Sequence, residues 1–209
     1  PAALRTVAAP QPAPKRVLNL ARLRRDAGPA AGQPAGSDAP DLASTPVRSA
    51  VNSAVNTAEG DAIVLPRFDS VSVRVDGRLD EGVWAQVPGF SDMTVISPDT
   101  LEAPQYETTS IFFYTSEGFY VGMYARQPVD TRIARLSSRD AALNRDGMQV
   151  TIDPSGMGLY GYYFGVNLGG SLDDGTVVPE RSLSREWDGP WRGATAEVED
   201  GWTAEIFVP

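Results

Sequence analysis

Neither cysteine nor histidine occurs in this 209-residue chain. Their absence excludes a disulfide framework, a cysteine nucleophile, a histidine-based triad and most zinc sites. Haem ligation is excluded on similar grounds, because none of the four methionines stands beside a haem motif. No run reaches the ~18 consecutive apolar residues of a membrane helix. With 27 acidic residues, accidental carboxylate pairs are certain, and nothing singles one out for glycoside hydrolysis. The chain is therefore expected to be non-catalytic. Lysine occurs once, as Lys15, beside many Ala and Arg, a usage that suggests a GC-rich bacterial source. The first residue is Pro1, which reads as a fragment or a processed form and leaves room for a removed export signal.

Aromatic residues are missing from the first third as well: all 18 lie from Phe68 onward. Residues 1–62 hold 16 Ala and 8 Pro with little hydrophobic periodicity, too little apolar surface to offset the entropy of ordering. They are expected to form a disordered tail or linker. Within it, Lys15–Arg25 alone has helical character, with Val17, Leu18, Leu20 and Leu23 beside five basic residues. It falls short of the ~12–15 residues at which isolated helices become marginal, so a weakly helical basic linker is expected rather than a membrane-surface helix. Charge divides at the same place. Residues 1–62 carry 7 Lys+Arg and 5 Asp+Glu, a net of +2, and residues 63–209 carry 11 and 22, a net of −11. So acidic a domain suits neither nucleic acid nor an anionic membrane. It suits Ca²⁺ or neutral ligands such as sugars, or serves as a solubilising surface.

What residues 63–209 do contain is a series of short strands separated by turn residues. Strands are expected at 71–75, 94–96, 108–114, 119–125, 148–153, 162–167, 194–198 and 202–208. Ser116-Glu-Gly118 and Glu199-Asp-Gly201 are the hairpin turns. Helical periodicity is confined to Glu81–Gln86. Without crossover helices, this spacing indicates an all-β domain: an antiparallel β-sandwich of the jelly-roll or immunoglobulin-like class, preceded by the disordered tail.

One stretch concentrates several signals. In Val73-Arg-Val-Asp-Gly-Arg-Leu-Asp-Glu-Gly-Val-Trp84, alternating valines suit a half-buried strand, and Asp76-Gly77 supplies the turn. Asp80 is placed to N-cap a short helix that turns Trp84 inward. The run resembles the opening of the family 9 carbohydrate-binding modules. The likeness continues through Ser110–Tyr124, Arg145–Asp153, Phe164-Gly-Val-Asn167 and Gly201–Pro209, and so spans 63–209. It implies the same sandwich, a carbohydrate ligand and service to an attached catalytic region. Family modules continue with further strands, so the domain is expected to be truncated at its C-terminal end.

Sugar binding on such folds uses aromatic faces, and Trp187 and Trp191, in the polar segment Arg185–Arg192, are the candidates. Trp191 alternatively packs beneath the loop as a lid on the core. Trp84 and Trp202 fall in hydrophobic patterns and belong to the core. Tyr160, Tyr162 and Tyr163 form a second aromatic cluster, with Tyr162 and Phe164 on one strand face and Tyr163 on the other; an internally packed sheet face is expected, with a platform as the alternative. By resemblance, Gln149 stands where sugar-binding members carry a Glu. Asn167 is what remains of their Arg-x-Asn, and Leu143 replaces one stacking Trp. The clamp, if kept, is built differently here. For metal, Asp140, Asp146, Asp173 and Asp174 lie in two acidic segments read as loops; solvated turns account for them, and the resemblance allows a structural calcium. No cofactor is otherwise required. A second resemblance is to domains that precede outer-membrane β-barrel-like regions, where no sugar is implied. Either way the expected location is periplasmic, outer-membrane-associated or secreted.

Overall fold

The structure, a computed structural model, describes residues 16–19, 23–24, 63–178 and 182–209. The expectation of disorder for residues 1–62 therefore lies almost wholly outside the described residues. Two of the described pieces, β1 (Arg16–Asn19) and β2 (Leu23–Arg24), correct the helical reading of Lys15–Arg25. A segment this short gains more from an available sheet edge than from an isolated helical turn. Strand β1 pairs in parallel with β6 (Gly147–Ile152), and β2 with β3 (Ile63–Val64).

The rest is a β-sandwich. One sheet has the order β10-β11-β5-β4, formed by Arg192–Val198, Gly201–Val208, Phe119–Arg126 and Thr108–Tyr114. All three of its ladders are antiparallel. The facing sheet runs β1-β6-β7-β8-β9, with β7 at Gly161–Asn167, β8 at Leu172–Val178 and β9 at Ser182–Ser184. Both expected hairpins form. Thr115 N–H bonds to the Gly118 carbonyl across the first, and Val198 faces Gly201 across the second.

Alternation along the strands builds the core between the sheets. Val121, Met123 and Ala204 point inward from one sheet and Met148, Val150 and Val166 from the other. Trp202 joins them, 2% exposed, with its indole N–H on the Gln127 side-chain oxygen at 2.9 Å. The first sheet is also covered on its outer face. There Ile111, Phe113, Tyr120 and Phe207 pack against Leu79 and Trp84. That third layer explains why β4, β5 and β11 are buried at almost every position.

This covering layer differs from expectation in detail. Val71, Val73 and Val75 keep their alternation against the second core, but the segment joins no ladder. Asp80 caps nothing. The helix is a single 3₁₀ turn, Trp84–Gln86, whose N-cap Val83 makes no side-chain bond. Glu81 does the organising, accepting from the Arg74 backbone N–H at 2.8 Å and from the Trp84 indole N–H at 3.0 Å. Thr94–Ile96 is likewise no strand, only an isolated bridge between Ile96 and Asp99.

Close approach beneath Trp84 makes one glycine necessary. A Cβ on Gly122 would fall 2.8 Å from Leu79 Cδ2 and 2.9 Å from the Trp84 ring. Gly122→Ala is expected to destabilise the fold by about 1–3 kcal/mol through overpacking. Urea unfolding checks this, and an unchanged midpoint would show that the covering layer is loose.

Candidate functional site

The segment between β9 and β10 carries the site. It runs from the end of β9 at Ser184 to the start of β10 at Arg192. Trp191 reaches the inter-sheet core, 5% exposed, edge-on to Phe164 at 5.5 Å. The lid alternative thus describes its packing, and its indole N–H is buried with no acceptor among the described residues. Trp187 is half-buried and packs on Tyr162 at 4.7 Å and edge-on to Phe164 at 6.0 Å. These rings, with Pro190, Val208 and Pro209, line a shallow groove of about 180 Å³. Enclosing ligand pockets typically hold about 300–1,000 Å³, so this groove is smaller than an enclosing site.

Trp187 and Trp191 line one groove, and Tyr162, 36% exposed, lines it with them rather than packing internally. Its strand face was evident from alternation with Tyr163. Its partner lies 25 residues away in a loop, which no local pattern reveals. Tyr163, on the opposite face, is fully buried, and burial raises its hydroxyl pKa.

Gln149 and Asn167 do not reach the groove wall. Gln149 pairs with Gly165 and points to the face opposite Met148 and Val150. Asn167 is buried in the β7–β8 turn, where its amide is used at both ends. Its Nδ2 donates to the Ser171 carbonyl, and its Oδ1 accepts the Ser171 N–H at 3.2 Å.

The four acids proposed for metal also separate. Leu172–Val178 is a strand, not the loop expected, because pairing with β7 overrides the poor β-propensity of Asp173-Asp174-Gly175. Alternation then sends the two aspartates to opposite faces. Asp173 meets Arg185 at 3.2 Å, and Asp146 is spent on the Gln127 amide at 2.9 Å and the Ile133 N–H at 2.7 Å. Asp140 and Asp174 do converge, joined by Asp188, which the sequence did not single out. Ligand atoms of the three lie within 4.8 Å of one another. Burial raises the Asp140 pKa.

Arg139 stands among these carboxylates. Its Nε donates to Asp174 Oδ1 at 2.7 Å and lies 3.1 Å from Asp188 Oδ1. Asp174 Oδ2 accepts the Gly189 N–H, and Asp140 Oδ1 the Asp174 N–H, both at 2.9 Å. Ca²⁺ takes about 6–8 oxygen ligands, whereas this set is already engaged by N–H donors and one guanidinium. The donors present do not fit a calcium ion.

No helix among the described residues is long and apolar enough to cross a membrane. No family model and no curated protein matches the chain. Two solved structures are similar, both of a family 9 carbohydrate-binding module from Caldicellulosiruptor kristjanssonii. The complex with cellotriose is 12% identical with a TM-score of 0.44, covering 68% of this chain and 65% of its own. The complex with glucose is 12% identical with a TM-score of 0.47, covering 68% and 67%. This chain thus spans about two thirds of the length of those modules, and its likeness to the family 9 carbohydrate-binding modules is one of fold.

Proposed function

We propose that the domain is a non-catalytic carbohydrate-binding module whose ligand lays a pyranose face on Trp187, with Tyr162 tilted against it at 49°. The observation that carries this reading is the groove itself, where a partly exposed tryptophan stands beside Pro190 and packs edge-on to Phe164. A sugar ring offers a C–H face that packs on an aromatic plane and an edge of hydroxyls that needs polar partners. Glu186, exposed and next to Trp187 in sequence, would supply an acceptor. Trp191 floors the groove. In this reading Gln149 and Asn167 play no part in the site. The domain would serve polysaccharide recognition in a larger bacterial protein of the periplasm, outer membrane or exterior, where polymeric glycans are met.

Intrinsic fluorescence tests this directly. Trp84, Trp191 and Trp202 are buried, so a ligand-dependent shift reports mainly on Trp187. Titration with cello-, xylo- and manno-oligosaccharides is expected to give a saturable shift. Trp187→Ala is expected to weaken binding at least about tenfold, the scale of a central aromatic anchor. A folded protein that responds to none of these would sink the reading and favour an accessory domain beside a membrane barrel.

A further inference from the structure

Arg139 lies 35 residues from Asp174 and 50 from Gly189, yet its guanidinium meets both. We propose that Arg139 is the resident cation of the Asp140–Asp174–Asp188 cluster and the residue that positions Trp187 at the groove. Asp174 is fully buried, and a carboxylate out of water persists only when paired and hydrogen-bonded. Three carboxylates from separate segments would repel one another without a positive charge between them. The guanidinium supplies it as a planar fork with several donors, which an ammonium point charge cannot reproduce.

The pin reaches Trp187 through Gly189. Arg139 holds Asp174, and Asp174 holds the Gly189 N–H at 2.9 Å. Arg139 Nη2 also donates to the Gly189 carbonyl at 3.4 Å. The Trp187 indole lies directly on this glycine, so that a Cβ there would sit 2.3 Å from the ring. Displacing Gly189 must therefore displace the indole. The consequence for ligand binding rests on the glycan reading above, but the pin itself is testable without sugar.

The experiment combines thermal unfolding, Trp187 emission (read against Trp187→Phe) and terbium luminescence on the full chain. Tb³⁺ occupies calcium-type oxygen sites and is sensitised by a nearby tryptophan. In the wild type, Tm is expected to be the same in Ca²⁺ and in chelator, with no sensitised terbium emission that Ca²⁺ displaces. Arg139→Ala is expected to red-shift Trp187 emission and to free the carboxylates for a cation. Displaceable terbium emission should then appear, with a Tm rise of about 5–10 °C at Ca²⁺ a hundredfold above its dissociation constant. Folding of this variant only when Ca²⁺ is present supports the same conclusion. Arg139→Lys keeps the charge without the fork and is expected to stay indifferent to Ca²⁺ while Trp187 emission still shifts. Should Arg139→Ala not fold at all, the wild-type and Lys arms decide. A wild type stabilised by Ca²⁺ would overturn the proposal. So would an Arg139→Ala protein lacking either the emission shift or the cation response, or a Lys variant with unchanged emission. None of these results depends on whether a glycan binds.

Discussion

Replacing Glu205 by glutamine is expected to flatten the pH dependence of stability between about pH 4.5 and pH 8. Glu205 sits on β11 beneath the Asp76-Gly77 turn, 1% exposed. Its Oε2 accepts the backbone N–H groups of Asp76 and Gly77, each at 2.8 Å, while Oε1 is buried without a partner among the described residues. Thr203, two residues earlier on the same face, donates to the Gly77 carbonyl at 2.5 Å. The two side chains together clamp the turn onto the sheet. Burial pushes the Glu205 pKa up to about 8 against the pull of the two N–H bonds, and the carboxylates of Glu81 and Asp76 add to the rise.

The sign follows from proton counts. Between the unfolded value of 4.5 and about 8, the native state holds a proton that the unfolded chain has released. Its stabilising contribution is complete below pH 4.5 and is lost as pH rises through about 8, with a slope of up to about 1.4 kcal/mol per pH unit. No histidine titrates in this window to obscure it. Glutamine keeps a neutral oxygen for the two N–H groups and has no proton to lose. The variant should match the wild type near pH 5 and exceed it near pH 8.5. Asp140, also raised by burial, contributes a slope of the same sign that the variant retains. Urea midpoints at three pH values decide, and parallel profiles for the two proteins would show that Glu205 is ionised throughout.

Trp84→Ala is expected to cost about 3–5 kcal/mol, the usual range for removing a buried tryptophan. Its side chain is 1% exposed and packs on Phe113 at 5.0 Å. The loss has three parts: the apolar surface, the cavity left over Gly122 and Leu79, and the bond from the indole N–H to Glu81. Because Glu81 also holds the Arg74 N–H, the whole covering layer should loosen. Trp84→Phe should recover part of the packing but not the bond to Glu81. Denaturant unfolding measures both. A cost below about 1 kcal/mol would mean that residues 68–87 contribute little to the second core.

Much of the architecture was legible because local chemistry and tertiary need agree. Thr108–Tyr114 and Phe119–Arg126 are apolar runs bracketed by turn residues, and a strand buried on both faces needs nothing more. Inward roles for Trp84 and Trp202 followed in the same way. Where the two disagree, the sequence misleads. Val71–Val75 alternates as a strand should but joins no ladder among the described residues, whereas Leu172–Val178 has weak propensity and a ready partner in β7. An edge is a property of the assembled sheet and leaves no mark on the segment that will occupy it.

The candidate site divides along the same line. That Trp187 and Trp191 stand in a polar loop is plain from residues 185–192 alone. That Tyr162 packs on Trp187, that Asn167 is consumed in a turn, and that Arg139 stands among three aspartates are results of packing. Sequence by itself determined the all-β class, the hairpins and the paired tryptophans of the 185–192 loop, since each depends on neighbours within a few positions. Tertiary structure alone decided which carboxylates meet and what neutralises them. Those contacts join groups tens of residues apart, and burying Asp174 leaves its charge no solvent to fall back on, so a guanidinium must be brought to it.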